Sequence, residues 1–145
     1  MMPIGPLDKK VEALTDWART ATRDGRPVRD DPKVRASIAN IHAQLECARG
    51  LQRRVISEAL KDRVPTVESS MYKLYMNELG QRVANAALDL MGPEGQLRAG
   101  EEKAPEGGRF ERSYRYTVVD TIGGGTSEIQ KNIIAQRGLG LPRSF

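Results

Sequence analysis

From Val34 to Ala59 the apolar residues return at steps of three, four or seven: Val34, Ile38, Ile41, Leu45, Ala48, Val55 and Ala59. That spacing places one stripe along one face of an α-helix, and it excludes a strand, whose side chains alternate every second residue. Asp31 stands where an N-cap is needed. Pro32 follows at the first helical position, where its missing N–H costs nothing. Pro65 closes the segment. About thirty residues of helix reach roughly 45 Å at 1.5 Å each, so this element spans a whole domain.

The other segments repeat the pattern. A first helix is expected from about Leu7 to Arg23, with Asp8 at its start and Val11, Leu14, Trp17 and Ala18 on one face. Gly25 and Pro27 end it. A third opens at Thr66, is lined by Val67, Met71, Leu74, Leu79, Val83, Ala86 and Leu90, and stops at Gly92-Pro93. Gly80 inside it is either a weak point in propensity or a place where another helix comes close. Residues 92–109, rich in Gly, Pro and charge, read as a long functional or mobile connection. Phe110 to Thr121 reads as a short helix with Phe110, Tyr114, Thr117 and Val118 inward, and Ser127 to Arg137 as the last one. Gly138, Gly140 and Pro142 terminate the chain's structure. No segment alternates long enough to predict a strand. The expectation is an all-α antiparallel bundle of four or five helices, with residues 1–145 forming one domain.

Composition narrows the functions. Aromatic residues are 5% of the chain, so the core rests on aliphatic side chains and Met. Met71, Met76 and Met91 read as core filler. The net charge is +4, but 23 basic residues are interleaved with 19 acidic ones, which argues against a nucleic-acid surface. Cys47 is the one cysteine, so no intramolecular disulfide forms, and its neighbours Leu45, Ala48 and Leu51 predict a buried, inert thiol. His42 is the one histidine. A His-paired metal site or a Ser-His-Asp triad therefore has little support, and His42 is expected on a partly exposed helix flank. Arg109, Arg112 and Arg115 share a helix at spacing three. They form a solvated or salt-bridged face, or a contact for phosphates or a partner chain. Met1 to Pro6 lacks the basic and apolar regions of a secretory signal, and no apolar run reaches membrane-spanning length. A cytoplasmic location is the expectation, with no membrane and no metal.

The strongest functional signal is Ile122-Gly123-Gly124-Gly125-Thr126-Ser127-Glu128-Ile129-Gln130-Lys131-Asn132-Ile133-Ile134. Glycine tolerates positive φ and admits a second molecule close to the backbone. Ser127 and Gln130 have capping-box spacing. The free N–H groups and dipole of a helix start attract anions.

The run from Gly123 to Arg143 closely resembles the C-terminal signature of the acyl-CoA dehydrogenase family. Leu88-Asp89-Leu90-Met91-Gly92-Pro93-Glu94-Gly95 resembles that family's glycine-bearing segment after its third bundle helix. Trp17 to Pro27 resembles the end of its first bundle helix. The resemblance covers only the family's C-terminal helical domain. The N-terminal helical and middle β-domains have no counterpart in these 145 residues.

That resemblance implies a function and its limits. In the family, FAD takes a hydride from the β-carbon of an acyl-CoA thioester while a carboxylate removes the α-proton. The Glu that many members use stands where this chain has Gly124, and the alternative position on the first helix would fall upstream of Met1. No catalytic residue is therefore assigned. The resemblance implies Gly123, Gly124 and Gly125 on the acyl-CoA side, and Asp89, Gly92, Gly95, Thr126 and Glu128 as the positions that touch FAD. The Arg, Phe and Gln that the family uses nearby are Ala21, Asp24 and Asp89 here, and Asp89 would repel a pyrophosphate. FAD is thus expected only with missing domains or a partner chain. A mildly positive surface suits anionic CoA esters.

Two readings follow. The chain is a C-terminal domain or subunit of a FAD-dependent acyl-CoA dehydrogenase, inactive alone. Alternatively it is a non-catalytic assembly or regulatory bundle. Either one implies a dimer or tetramer, with an acyl-CoA dehydrogenase subunit as a possible further partner.

Overall fold

The computed structural model describes residues 3–143. Met1 and Met2, which open the stretch read against a secretory signal, lie outside the described residues. Helix α1 spans Gly5–Thr20 and buries Leu7, Val11, Leu14 and Ala18. It ends where Ala21 turns extended (ψ 149°). The chain then makes a hairpin that periodicity could not announce. Strands β1 (Thr22–Arg23) and β2 (Arg26–Pro27) pair antiparallel, with Thr22 opposite Pro27 and Arg23 opposite Arg26. Asp24 and Gly25 both take positive φ, 51° and 73°, as a two-residue hairpin turn requires. Two residues per strand are too few for any alternation to register.

Helix α2 (Pro32–Ala59) starts as expected, with the Asp31 carboxylate accepting from the Lys33 amide at 2.8 Å. Val34, Ile41, Leu45, Ala48 and Val55 are buried along it. It stops well short of Pro65. The N–H groups of Leu60, Lys61 and Asp62 fold back onto Ile56, Glu58 and Ala59, and Asp62 takes φ 56°. Ala59 and Cys47 are exposed, against the expectation. Cys47 lies one residue before the buried Ala48, and a 100° step carries its side chain off the stripe.

Helix α3 (Thr66–Met91) is the centre of the molecule. Tyr72, Met76, Leu79, Val83, Ala84, Ala87, Leu90 and Met91 are buried, together with the polar Ser70 and Asn77. It packs against α2, against α4 (Arg109–Asp120) and against α5 (Ser127–Ile133). The chain turns off α3 at Gly92, φ 69°. A Cβ on Gly80 would meet nothing within 4 Å, so Gly80 marks no close helix contact. Residues 92–109 carry short helical turns at Gly92–Gln96 and Pro105–Gly108. Gly108 (φ 74°) lies so close to the Ala99 backbone that a Cβ would stand 2.4 Å from its nitrogen.

Along α4, Phe110 and Thr117 are buried as expected, whereas Tyr114 and Val118 are exposed. The inward stripe runs through Phe110, Ser113 and Thr117, a strict three-then-four step, and Glu111 is buried beside it. Tyr114 and Val118 sit one residue off that stripe. Helix α5 is capped by Thr126, whose hydroxyl accepts from the Ile129 amide at 3.4 Å. Ser127 is therefore not the cap. The chain continues past α5 in a wider π turn over Ile134–Gly138. Among the described residues, no helix is long and apolar enough to cross a membrane. The expected all-α bundle of four or five helices is observed with five α-helices, and the small hairpin is its only β element among the described residues.

Two glycine substitutions should move stability in opposite directions. Gly80→Ala removes a helix-interior glycine from open space and should stabilise by about 0.5–1 kcal/mol. Gly108→Ala must force a Cβ into backbone at positive φ and should cost more than about 1–2 kcal/mol. Chemical denaturation of the two variants checks both signs.

Candidate functional site

The structure separates the expected site residues into two rims of the bundle. Lys73, which touches the glycine turn, and Asp89, which opens the other cluster, lie on the same helix. Along α3 their separation is roughly 24 Å.

The first rim is the glycine turn between α4 and α5. Gly124 (φ 69°) and Gly125 (φ 99°) both need the left-handed region, which explains glycine at both positions. Gly123 and Gly124 are exposed, and Gly125 and Thr126 are half-buried. Side chains grip the turn from below. Lys73 Nζ donates to the Gly125 carbonyl at 2.7 Å, and Asn77 Nδ2 donates to the Asp120 carbonyl at 2.6 Å. Gln130 Nε2 donates to the Gly124 and Gly125 carbonyls at 3.2 and 3.4 Å. Gln130 therefore serves the turn instead of completing a capping box. Burial lowers the Lys73 pKa, and the nearby charge of Asp120 pulls the other way.

Glu128 is exposed on the first turn of α5. A bond from its own backbone amide, then the Thr126 hydroxyl, holds its carboxyl below the usual range. A carboxylate so stabilised is a weak proton acceptor. Glu128 and Asp120 are the only acidic residues from 120 to 130, and the Gly124 position offers no side chain at all. The arrangement can present backbone to a ligand. It does not place a strong base there.

The second rim is a groove of about 730 Å³ between the end of α3 and α4. Asp89 and Gly92 line it, with Asn85, Arg98, Glu111 and Arg115. Glu111 takes a bidentate grip from Arg115, at 2.6 and 3.0 Å, and Arg98 lies 3.8 Å away. The Arg115 bond lowers the Glu111 pKa, and Glu111 raises that of Arg115. Arg115 is thus committed to a carboxylate, while Arg109 and Arg112 are exposed. Asp89 is exposed in the groove. Gly95 is buried and turned inward: a Cβ there would lie 2.8 Å from Met91 Cβ. Its small size serves the fold, whereas Gly92 stays at the rim. His42 lies apart, on an exposed flank of α2 within 3.1 Å of the Thr15 hydroxyl.

Sequence reasoning missed Lys73 and Asn77, which belong to α3 and meet the turn only through folding. Glu111 was findable, because Glu followed four residues later by Arg is a helix ion-pair spacing.

A family model for the acyl-CoA dehydrogenase C-terminal domain matches residues 1–139. The acyl-CoA dehydrogenase FadE26 of Mycobacterium tuberculosis is 29% identical over 143 residues, covering 96% of this chain and 36% of that protein. The acyl-CoA dehydrogenase IpdE1 of the same organism is 32% identical over 120 residues, covering 79% of this chain and 28% of that protein. Among solved structures, the ChsE4–ChsE5 complex from Mycobacterium tuberculosis superposes with a TM-score of 0.89 at 27% identity, over 100% of this chain and 37% of that one. The Tcur3481–Tcur3483 steroid ACAD superposes with a TM-score of 0.87 at 29% identity, over 97% of this chain and 35% of that one. The chain spans about a third of the length of the relatives it matches.

The Glu111–Arg115 pair generates a pH prediction. Because the folded pKa of Glu111 is lowered, its contribution is present above the ordinary carboxylate range and lost as pH falls through the folded value. Glu111→Gln should destabilise the protein near neutrality and flatten the acid limb of its stability curve. Thermal melts from neutral to acid pH check this.

Proposed function

Because the chain belongs to the acyl-CoA dehydrogenase family, through its C-terminal helical domain, we propose that it acts as the base-less half of an oligomeric acyl-CoA dehydrogenase. In this reading its residues form one domain, and its glycine rim borders an acyl-CoA thioester. The α-proton is then taken by a carboxylate on another domain or subunit. The observation that carries the reading is Gly124: a turn at φ 69° whose carbonyl is tied by Gln130, with no side chain at the position that the resemblance assigns to the base.

FAD supplies hydride acceptance when bound, and the two rims suit it unequally. Thr126 and Glu128 offer oxygen acceptors, which suit the hydroxyl and amino groups of an adenosine. The Asp89 rim does not suit a diphosphate. Its bidentate Arg115 is already spent on Glu111, Arg98 is drawn to the same carboxylate at 3.8 Å, and Asp89 adds an exposed negative charge to the groove. Phosphate recognition needs free charged donors. We therefore assign the adenosine side to this chain and leave the pyrophosphate to whatever completes the site.

The two-name complexes among its structural neighbours support a second subunit. One of them is described as a steroid ACAD, which makes a bulky, ring-bearing acyl-CoA a reasonable substrate class for the assembled enzyme. Exposed Tyr116, Val118, Val119 and Ile122 on and after α4 favour association as well. The second reading, an assembly module without a role at the flavin, is favoured by Ala21 and Asp89 in place of the family's Arg and Gln.

The purified chain should bind an acyl-CoA dehydrogenase subunit that retains the glutamate, and flavin fluorescence and thioester turnover should change in the mixture. A complex with neither change would support the assembly module instead. Unaided dehydrogenation by the chain, or a strictly monomeric species at high concentration, would overturn the proposal.

A further inference from the structure

The glycine turn is held by more than its own backbone. Lys73 comes from α3, reaches 2.7 Å from the Gly125 carbonyl and stands close enough to Asp120 to feel its charge. Asn77, one helical turn further on, bonds the Asp120 carbonyl at 2.6 Å. Asn77 is buried, and its Oδ1 has no hydrogen-bond partner among the described residues. A buried orphan acceptor is costly. Leucine would pack there without that cost, so the amide is kept for its Nδ2. Gln130 adds the bonds to Gly124 and Gly125. Among the described residues, no backbone hydrogen bond engages the N–H groups of Gly125 and Thr126, while the carbonyls that share their peptide planes, those of Gly124 and Gly125, are tied down. The peptide units of the turn are therefore oriented from behind, with their donors left unspent.

We propose that Lys73 is the positioning residue of this rim: its ammonium holds the Gly125 carbonyl and, through that rigid peptide plane, sets the direction of the Thr126 N–H beside the Gly125 N–H, whose plane Gln130 holds at the Gly124 carbonyl. The chemistry it prepares is recognition of a carbonyl or anionic oxygen by consecutive backbone amides. A freely rotating glycine turn would lose that alignment, because glycine has the most conformational freedom to lose. A salt-bridged lysine on an outer face could not do this. Lys73 is half-buried and its donor goes to a main-chain oxygen, a charge-assisted bond of the stronger kind. The purpose of the clasp rests on the acyl-CoA reading above; its existence does not.

Amide hydrogen exchange on the intact chain tests it. Lys73→Met should speed exchange in residues 121–126 by roughly tenfold, while the middle of α3 stays protected. Lys73→Arg should restore protection to within about twofold of the natural protein, because it keeps a cationic donor. Asn77→Leu, which removes a donor and the orphan atom together, should loosen the same residues without unfolding the bundle. The proposal is overturned if Lys73→Met leaves residues 121–126 unchanged or loosens α3 and the turn alike. It is equally overturned if Lys73→Arg behaves like Lys73→Met. Addition of octanoyl-CoA then separates the two claims. Missing protection of the turn in the natural protein would count against the acyl-CoA reading while the selective effect of Lys73→Met stood.

Discussion

The burial of α3 on several sides is the constraint on which the rest of the structure depends. Leu79, Val83 and Ala87 are fully enclosed, and α2, α4 and α5 all lie against this one helix. The area removed from water along it supplies the driving force, at about 25 cal/mol per Å² of apolar surface. A helix surrounded in this way cannot show a clean amphipathic stripe, and polar residues end up inside. Ser70 and Asn77 are buried on α3 for this reason. Asn77 turns the position to use by holding the end of α4.

That same helix ties the two rims together. Its first half carries Lys73 and Asn77 beneath the glycine turn, and its last turns carry Asp89 and the exit at Gly92. A rigid α-helix of 26 residues keeps the rims at a fixed separation. Charge then divides their roles. At the turn, main-chain groups are oriented by side-chain donors. In the groove, the best cationic fork is neutralised by Glu111. An anionic or carbonyl-bearing ligand meets a prepared surface at the first rim and a balanced one at the second.

Glycine usage shows how local rules and packing share the work. Gly25, Gly124 and Gly125 were legible as turn residues, since their neighbours gave no other way to reverse the chain. Gly95 and Gly108 were not, because what demands them is Met91 Cβ in one case and the Ala99 backbone in the other. The misplaced residues have a common origin. Cys47, Tyr114 and Val118 each lie one position from a buried residue, and a 100° step per residue makes that single position the difference between core and solvent. The end of α2 moved for a different reason: the turn at Asp62 stops the helix before the proline is reached.

Sequence alone determined the helices, their order, the caps at Asp31 and the stops at Gly92, and the loss of a side chain at Gly124. These are local matters of periodicity, backbone freedom and residue identity. Only the tertiary structure decided that Lys73 and Asn77 meet the turn, that the Glu111–Arg115 pair lies in one groove with Asp89, and that Gly95 faces inward. Contacts between residues far apart in the chain depend on how helices are rotated and stacked against each other. No spacing within a single segment encodes that rotation.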